Sequence, residues 1–322
     1  MYTYNFIILP LYFFSIIFSL SSSSWMMIWM GMEINLLTFI LIILNETENI
    51  SKTESSMKYF LVQSLGSLIF LLTINMNMIY YNESSMMNAM VPPLALMLKS
   101  GMSPLHSWSP PVVSNFSSKS MFMFLTMQKL VPFFVLFSCW FWILPISSLM
   151  NIITGSLATI SQPSILKMVI FSSINNIGWM MLSIMKSVAL FLIFFMNYLL
   201  LSFLMIKYIF LYQIKWIIQI KSSSNKIKWL YLSLVMSFSG FPPFMGFTPK
   251  WLVIKNLHST MIFIIILSIL LSIYTMFFYL KSSLSLITCS SAMKKWNLKP
   301  QITMNLIFFT NMMGPISFFL LT

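Results

Sequence analysis

Arginine and aspartate occur nowhere in this sequence of 322 residues; its 18 basic residues are all lysine and its 5 acids all glutamate. Charged residues make up only 7% and hydrophobic ones 59%, a balance that excludes a water-soluble domain. The two cysteines, Cys139 and Cys289, are too few for a disulfide framework and lack metal-ligand spacing, so they read as small apolar helix residues. No glycine-rich nucleotide motif follows a strand-like run, no cysteine cluster could hold iron–sulfur, and no paired histidines could hold haem. No redox cofactor is therefore expected on this chain. The polar/apolar alternation of a membrane β-barrel is also missing.

What the sequence has is apolar runs of the length a helix needs to cross a bilayer, about 20 residues. They fall at approximately 4–23, 25–44, 58–80, 88–113, 119–138, 147–161, 165–185, 189–214, 228–256, 260–280 and 302–321. The fold class is thus an all-α integral membrane protein with about 11 transmembrane helices, in a single domain over 1–322. The first run, Asn5 to Leu20, has no basic flank before it and no small-residue cleavage site after it, and reads as a retained helix. Lys, Asn, Phe, Ile, Met and Tyr abound while Ala and Gly are scarce, the signature of A/T-rich codons. The 31 methionines fit a code in which AUA also means Met. Together these point to an animal mitochondrial genome, whose products are almost all membrane-embedded respiratory subunits.

An odd number of spans puts the termini on opposite faces, so loop lysines orient the set. Loops on the N-terminal side would hold Lys52, Lys58, Lys119, Lys167, Lys215, Lys221, Lys226, Lys228, Lys281, Lys294, Lys295 and Lys299, against little beyond Lys186 and Lys255 opposite. That asymmetry predicts an N-terminus on the matrix side of the inner membrane. It also accounts for most of the net charge of +13 without nucleic acid, through membrane orientation and contact with anionic lipid heads.

Two spans carry matching breakers. The fourth holds Pro92, Pro93, Lys99, Gly101 and Pro104; the ninth holds Gly240, Pro242, Pro243, Gly246, Pro249 and Lys250. Proline inside a helix removes a backbone hydrogen bond, and in lipid such a break survives only where protein or a polar cavity satisfies the freed groups. Non-helical backbone is expected between about Met97 and Pro104 and between about Gly240 and Pro249. Each broken span is the fourth of five, so the chain reads as two inverted five-helix repeats, about 4–138 and 147–280, plus a final helix at 302–321. Inverted repeats with interrupted helices are a transporter architecture.

Four charges remain at membrane depth: Glu33, Lys99, Lys129 and Lys250. Each would cost about 2.5–3.5 kcal/mol facing lipid alone, so they should face inward toward partners or water. Burial and a neighbour's charge move carboxyl and amine protonation by several pH units, which makes a Glu–Lys pair suited to a proton relay. Lys99 is expected within direct or water-bridged reach of Glu33. His106, seven residues after Lys99, reads equally as a relay member or as a cap on the broken helix end.

At these residues the segments WMGMEINLLTFI, ESSMKYFLVQSLGS, LKSGMSPLHSW, MQKLVP, FSSINNIGWM and SGFPPFMGFTPKW resemble, in order, the motifs of the NADH dehydrogenase subunit 2 family. These are antiporter-like membrane subunits of mitochondrial respiratory complex I. The resemblance implies that Glu33 is the helix glutamate, Lys99 the lysine of the first broken helix, Lys129 the central lysine and Lys250 the lysine of the second broken helix. One departure is SPPVVSNF after Trp108, which lacks the acid that relatives often carry there. The implied function is proton translocation as a subunit of NADH:ubiquinone reductase, with NADH, FMN, iron–sulfur clusters and ubiquinone held elsewhere in the complex. Other complex I membrane subunits and lipids, including cardiolipin, are the implied partners. The rival readings are a free-standing cation/proton antiporter and a structural scaffold.

Overall fold

A computed structural model describes residues 2–45, 50–76, 86–223, 225–258 and 261–288, with Asn311 and Gly314. Contacts divide the chain into two compact units, Met1–Leu144 and Pro145–Thr322. The first contains α1 (Tyr2–Ser21), α2 (Trp25–Asn45), α3 (Ile50–Asn75), α4 (Met86–Ser100), α5 (Ser109–Val113), α6 (Ser118–Leu125) and α7 (Leu130–Cys139). The second contains α8 (Leu144–Ile160), α9 (Ile165–Lys186), α10 (Val188–Tyr212), α11 (Asn225–Ser239), α12 (Phe247–Leu257) and α13 (Ile262–Thr288). Among the described residues the only extended pairing is an isolated bridge between Ser164 and Trp216. Seven segments of these residues are long and apolar enough to cross a membrane, so the chain is a multi-pass membrane protein.

The many helix serines and threonines satisfy themselves locally. Ser172 donates to the Val169 carbonyl at 2.7 Å and Ser237 to that of Leu234 at 2.6 Å, the arrangement a hydroxyl needs where water is absent. In the first unit α1 packs along α2, α2 along α3 and α3 along α4, while α7 lies against α4 and α1. An aromatic cluster of Phe39, Tyr59, Trp108 and Phe124 ties these helices to the segment after α4; Phe39 meets Tyr59 edge-on at 5.2 Å and Trp108 meets Phe124 at 5.7 Å. In the second unit α9 is the central helix. It is buried almost throughout, and packs against α10 and α12. Gly178 lets α8 approach it, because a Cβ there would run into the Ser148 carbonyl and Ile152.

Both interrupted spans are present; the first break lies a helical turn later than expected and the second is shorter than expected. α4 runs through Pro92 and Pro93 to Ser100, and the non-helical stretch covers 101–108. α11 stops at Ser239 and helix resumes at Phe247, so Pro249 stands third in α12, where its missing N–H would have been free anyway. Glycine sets each stop. Gly101 adopts φ +68° and Gly240 φ +85°. Met102 N–H bonds the Met97 carbonyl at 3.0 Å and Gly101 N–H that of Leu98 at 3.2 Å; Phe241 and Gly240 repeat the pattern onto Met236 and Ser237, each at 3.1 Å. Both helices thus end in the same left-handed glycine cap.

Other boundaries moved. α3 begins at Ile50, ahead of the expected residue 58, so Lys52 and Lys58 stand in its first turns and not in a loop; Lys58 pairs with Glu54 one turn back at 2.6 Å. The (i, i+4) spacing of that exposed pair lends the first turns of the helix a small added support. α13 continues to Thr288 and takes Lys281 with it. The final helix expected at 302–321 lies outside the described residues apart from Asn311 and Gly314.

Candidate functional site

Glu33 projects from the middle of α2 and Lys99 from the last turn of α4. Their charged atoms stand 3.6 Å apart, the lysine side chain 5% exposed and the glutamate 28%. Neither Glu33 Oε1 nor Lys99 Nζ has a hydrogen-bond partner among the described residues. The separation just exceeds a direct hydrogen bond, so charge chiefly holds the pair, with Glu33 Oε1 and Lys99 Nζ both buried. The C-terminal end of α4 carries partial negative charge, which suits an ammonium. Gln63 from α3 donates to the Lys99 carbonyl at 2.7 Å and so fixes the backbone that carries the lysine. Gly66, one turn along α3, leaves room for the lysine stem; a Cβ there would lie 2.9 Å from Lys99 Cγ.

Beneath Lys99 is a small chamber lined by Met32, Asn35, Tyr59, Gln63 and Gln128, among others, with room for water. Lys129 adjoins it in sequence. α6 ends at Leu125, Thr126 bends the chain, and Met127–Lys129 form a single 3-10 turn before α7. Lys129 is buried, its ammonium 6.0 Å from the Phe124 ring centre. His106 lies in the break after α4, half-buried, with Nδ1 3.3 Å from the Pro104 carbonyl. Its own carbonyl accepts from the Ser109 N–H and hydroxyl, both at 3.0 Å, at the start of α5. Helix does not continue from Lys99 to His106, so the two do not share a helix face.

In the second unit Lys250 is buried in the first turn of α12. Its ammonium donates to the Ser239 carbonyl at 2.8 Å and lies 5.6 Å from the Trp179 ring. Lys250 therefore caps the exposed carbonyls at the end of α11, as Lys99 stands in the last turn of α4. A pocket beside it is lined by Asn176, Asn197, Tyr198 and Ser237. Two more lysines enter helices. Lys228, expected in a loop, is buried in the first turn of α11 because that helix starts at Asn225; Lys207, within α10, lies 5.7 Å from the Phe203 ring.

Residues 22–275 match the family described as NADH:quinone oxidoreductase/Mrp antiporter, transmembrane. The chain belongs to this family. It is 36% identical to NADH-ubiquinone oxidoreductase chain 2 of Anopheles gambiae, over 97% of this chain and 92% of that one. Its fold is similar to a chain of respiratory complex I from Thermus thermophilus with bound aureothin, at a TM-score of 0.75 and 17% identity, covering 97% of this chain and 76% of that one. It is also similar to a chain of the membrane-bound sulfane sulfur reductase, an archaeal respiratory membrane complex, at a TM-score of 0.79 and 15% identity over 98% and 73%.

In this member of the NADH:quinone oxidoreductase/Mrp antiporter family, the first unit brings Glu33 and Lys99 together and sets Lys129 on an adjoining turn, while Lys250 occupies the second unit. Such an arrangement can store a proton on an amine, weaken or strengthen that hold through a carboxylate, and pass the proton through water. The sequence reading passed over Gln63, Asn35 and Gln128. Their signal was present: amides in apolar spans must find partners or water, just as charges must.

Proposed function

We propose that this chain is a proton-translocating core membrane subunit of NADH:ubiquinone oxidoreductase in the mitochondrial inner membrane. The observation that carries the reading is the buried Glu33–Lys99 pair at the end of an interrupted helix, in a chain of this family. Glu33 stabilises the Lys99 ammonium. A proton reaching Glu33 cancels that attraction, and Lys99 then releases its proton through water toward Lys129. Lys250 plays the corresponding part in the second unit, and His106 stands at the break as a further relay member or as its cap. The chain takes part in the reductase reaction only by moving protons; the electron carriers belong to other subunits.

Eleven membrane helices in two inverted five-helix repeats fit this role. The matched glycine caps after Lys99 and before Lys250, and a division between units at Leu144, support that architecture. The partners are the other membrane subunits of the complex and lipids, cardiolipin among them, with no nucleic acid. The N-terminus lies on the matrix side; labelling of Lys221 by an impermeant amine reagent from the matrix face only is expected, and labelling solely from the intermembrane space contradicts it.

The test of function is Lys129→Ala in the assembled complex. Losing one positioned proton carrier should lower coupled NADH oxidation by about 10²-fold, the lower end of what acid–base groups contribute. Unchanged turnover and proton-to-electron ratio would make the chain a scaffold. Sodium-driven transport by the isolated subunit would instead support a free-standing antiporter.

A further inference from the structure

A neutral cluster stands where the chamber below Lys99 meets the turn that carries Lys129. Asn35 Nδ2 donates to Gln128 Oε1 at 3.3 Å, and Gln128 Nε2 donates back to Asn35 Oδ1 at 3.1 Å. The two amides are self-complementary, and each removes from the chamber a donor and an acceptor that would otherwise hold water. Asn35 sits two residues after Glu33 on α2; Gln128 immediately precedes Lys129 in the 3-10 turn. Both line the chamber under Lys99. Behind Gln128 lies Tyr12 of α1, fully buried, close enough to interact with the Gln128 amide, yet with no hydrogen bond to its hydroxyl among the described residues. A buried hydroxyl is costly to leave unpaired. Here it is placed as a second partner for an amide that currently uses its first.

We propose that Asn35, Gln128 and Tyr12 form a gate between Lys99 and Lys129. With the amides clasped, the chamber closes on the Lys129 side. When Gln128 turns to Tyr12, the hydroxyl gains its partner, Asn35 is released to the chamber, and water can bridge toward Lys129. The swap gives up two amide–amide hydrogen bonds for one to the Tyr12 hydroxyl, and water in the chamber takes up the donor and acceptor that Asn35 releases. The three are positioning residues; none takes the proton. The gate rests on the proton path described above.

The experiment is made in the assembled respiratory complex, with assembly followed by native gel and Lys129→Ala as the reference. Tyr12→Phe removes only the hydroxyl; it should assemble normally and lower coupled turnover by about tenfold, the worth of about one hydrogen bond. Asn35→Leu with Gln128→Leu replaces both amides by apolar groups, which a merely structural clasp tolerates. The double variant should assemble, yet also lose turnover and change its solvent deuterium isotope effect. Normal pumping in Tyr12→Phe, or in an assembled double variant, while Lys129→Ala is impaired, overturns the gate and leaves the path standing. Normal pumping in Lys129→Ala overturns the path itself.

Discussion

At the scale of single residues, the chain shows how few charges an apolar interior tolerates and how differently each is settled. Lys250 finds carbonyl oxygens and an aromatic face, whereas Lys99 has a carboxylate at 3.6 Å and, among the described residues, no hydrogen bond to its amine. Under the proposed function, Lys99, less fully satisfied by the protein than Lys250, gives up its proton to water the more readily of the two. Its position depends on an uncharged neighbour. Gly66→Leu on α3 would force the Lys99 stem aside, at a packing cost of about 1–3 kcal/mol. The expected outcome is a lower melting temperature with loss of proton pumping, while Gly155→Ala, which a backbone of α9 would resist, should cost stability without touching that pair. Equal loss of coupling in both would place the effect in general packing.

At the scale of elements, the two interrupted helices are the organising feature, and the sequence reading placed both within a few residues. Helix runs through Pro92 and Pro93 and resumes two residues before Pro249, and the stops fall at Gly101 and Gly240, both named among the breakers, where positive φ admits the cap. A β-carbon in that conformation costs about 1–2 kcal/mol. Gly240→Ala would in addition meet Lys250 Cδ at 2.9 Å. Thermal unfolding of the complex should therefore show a loss of that order for Gly240→Ala, with impaired turnover; wild-type stability would contradict the role given to the cap. The helix starts at Ile50 and Asn225 were hidden because polar, lysine-bearing turns read as loop, although they run on without interruption into apolar helix.

At the scale of the whole molecule, the fold class, the multi-pass character and the family were legible because membrane burial writes long apolar runs and the motif order is specific. The proximity of Glu33 and Lys99 was legible from charge neutrality alone, since each needs a counter-charge at that depth. The amide clasp and the room made by Gly66 were not, because they depend on which helices meet, and one apolar run looks much like another. The proposed function requires the Glu33–Lys99 pair to act as one unit. The most direct test is the proton-to-electron ratio and NADH oxidation rate of the complex in sealed vesicles carrying Glu33→Gln, with Glu33→Asp beside it. Removal of the counter-charge should lower coupled turnover by about tenfold or more, on the order of one charged contact. The aspartate, shorter by one methylene but still charged, should recover part of it. Wild-type pumping in Glu33→Gln would contradict the account.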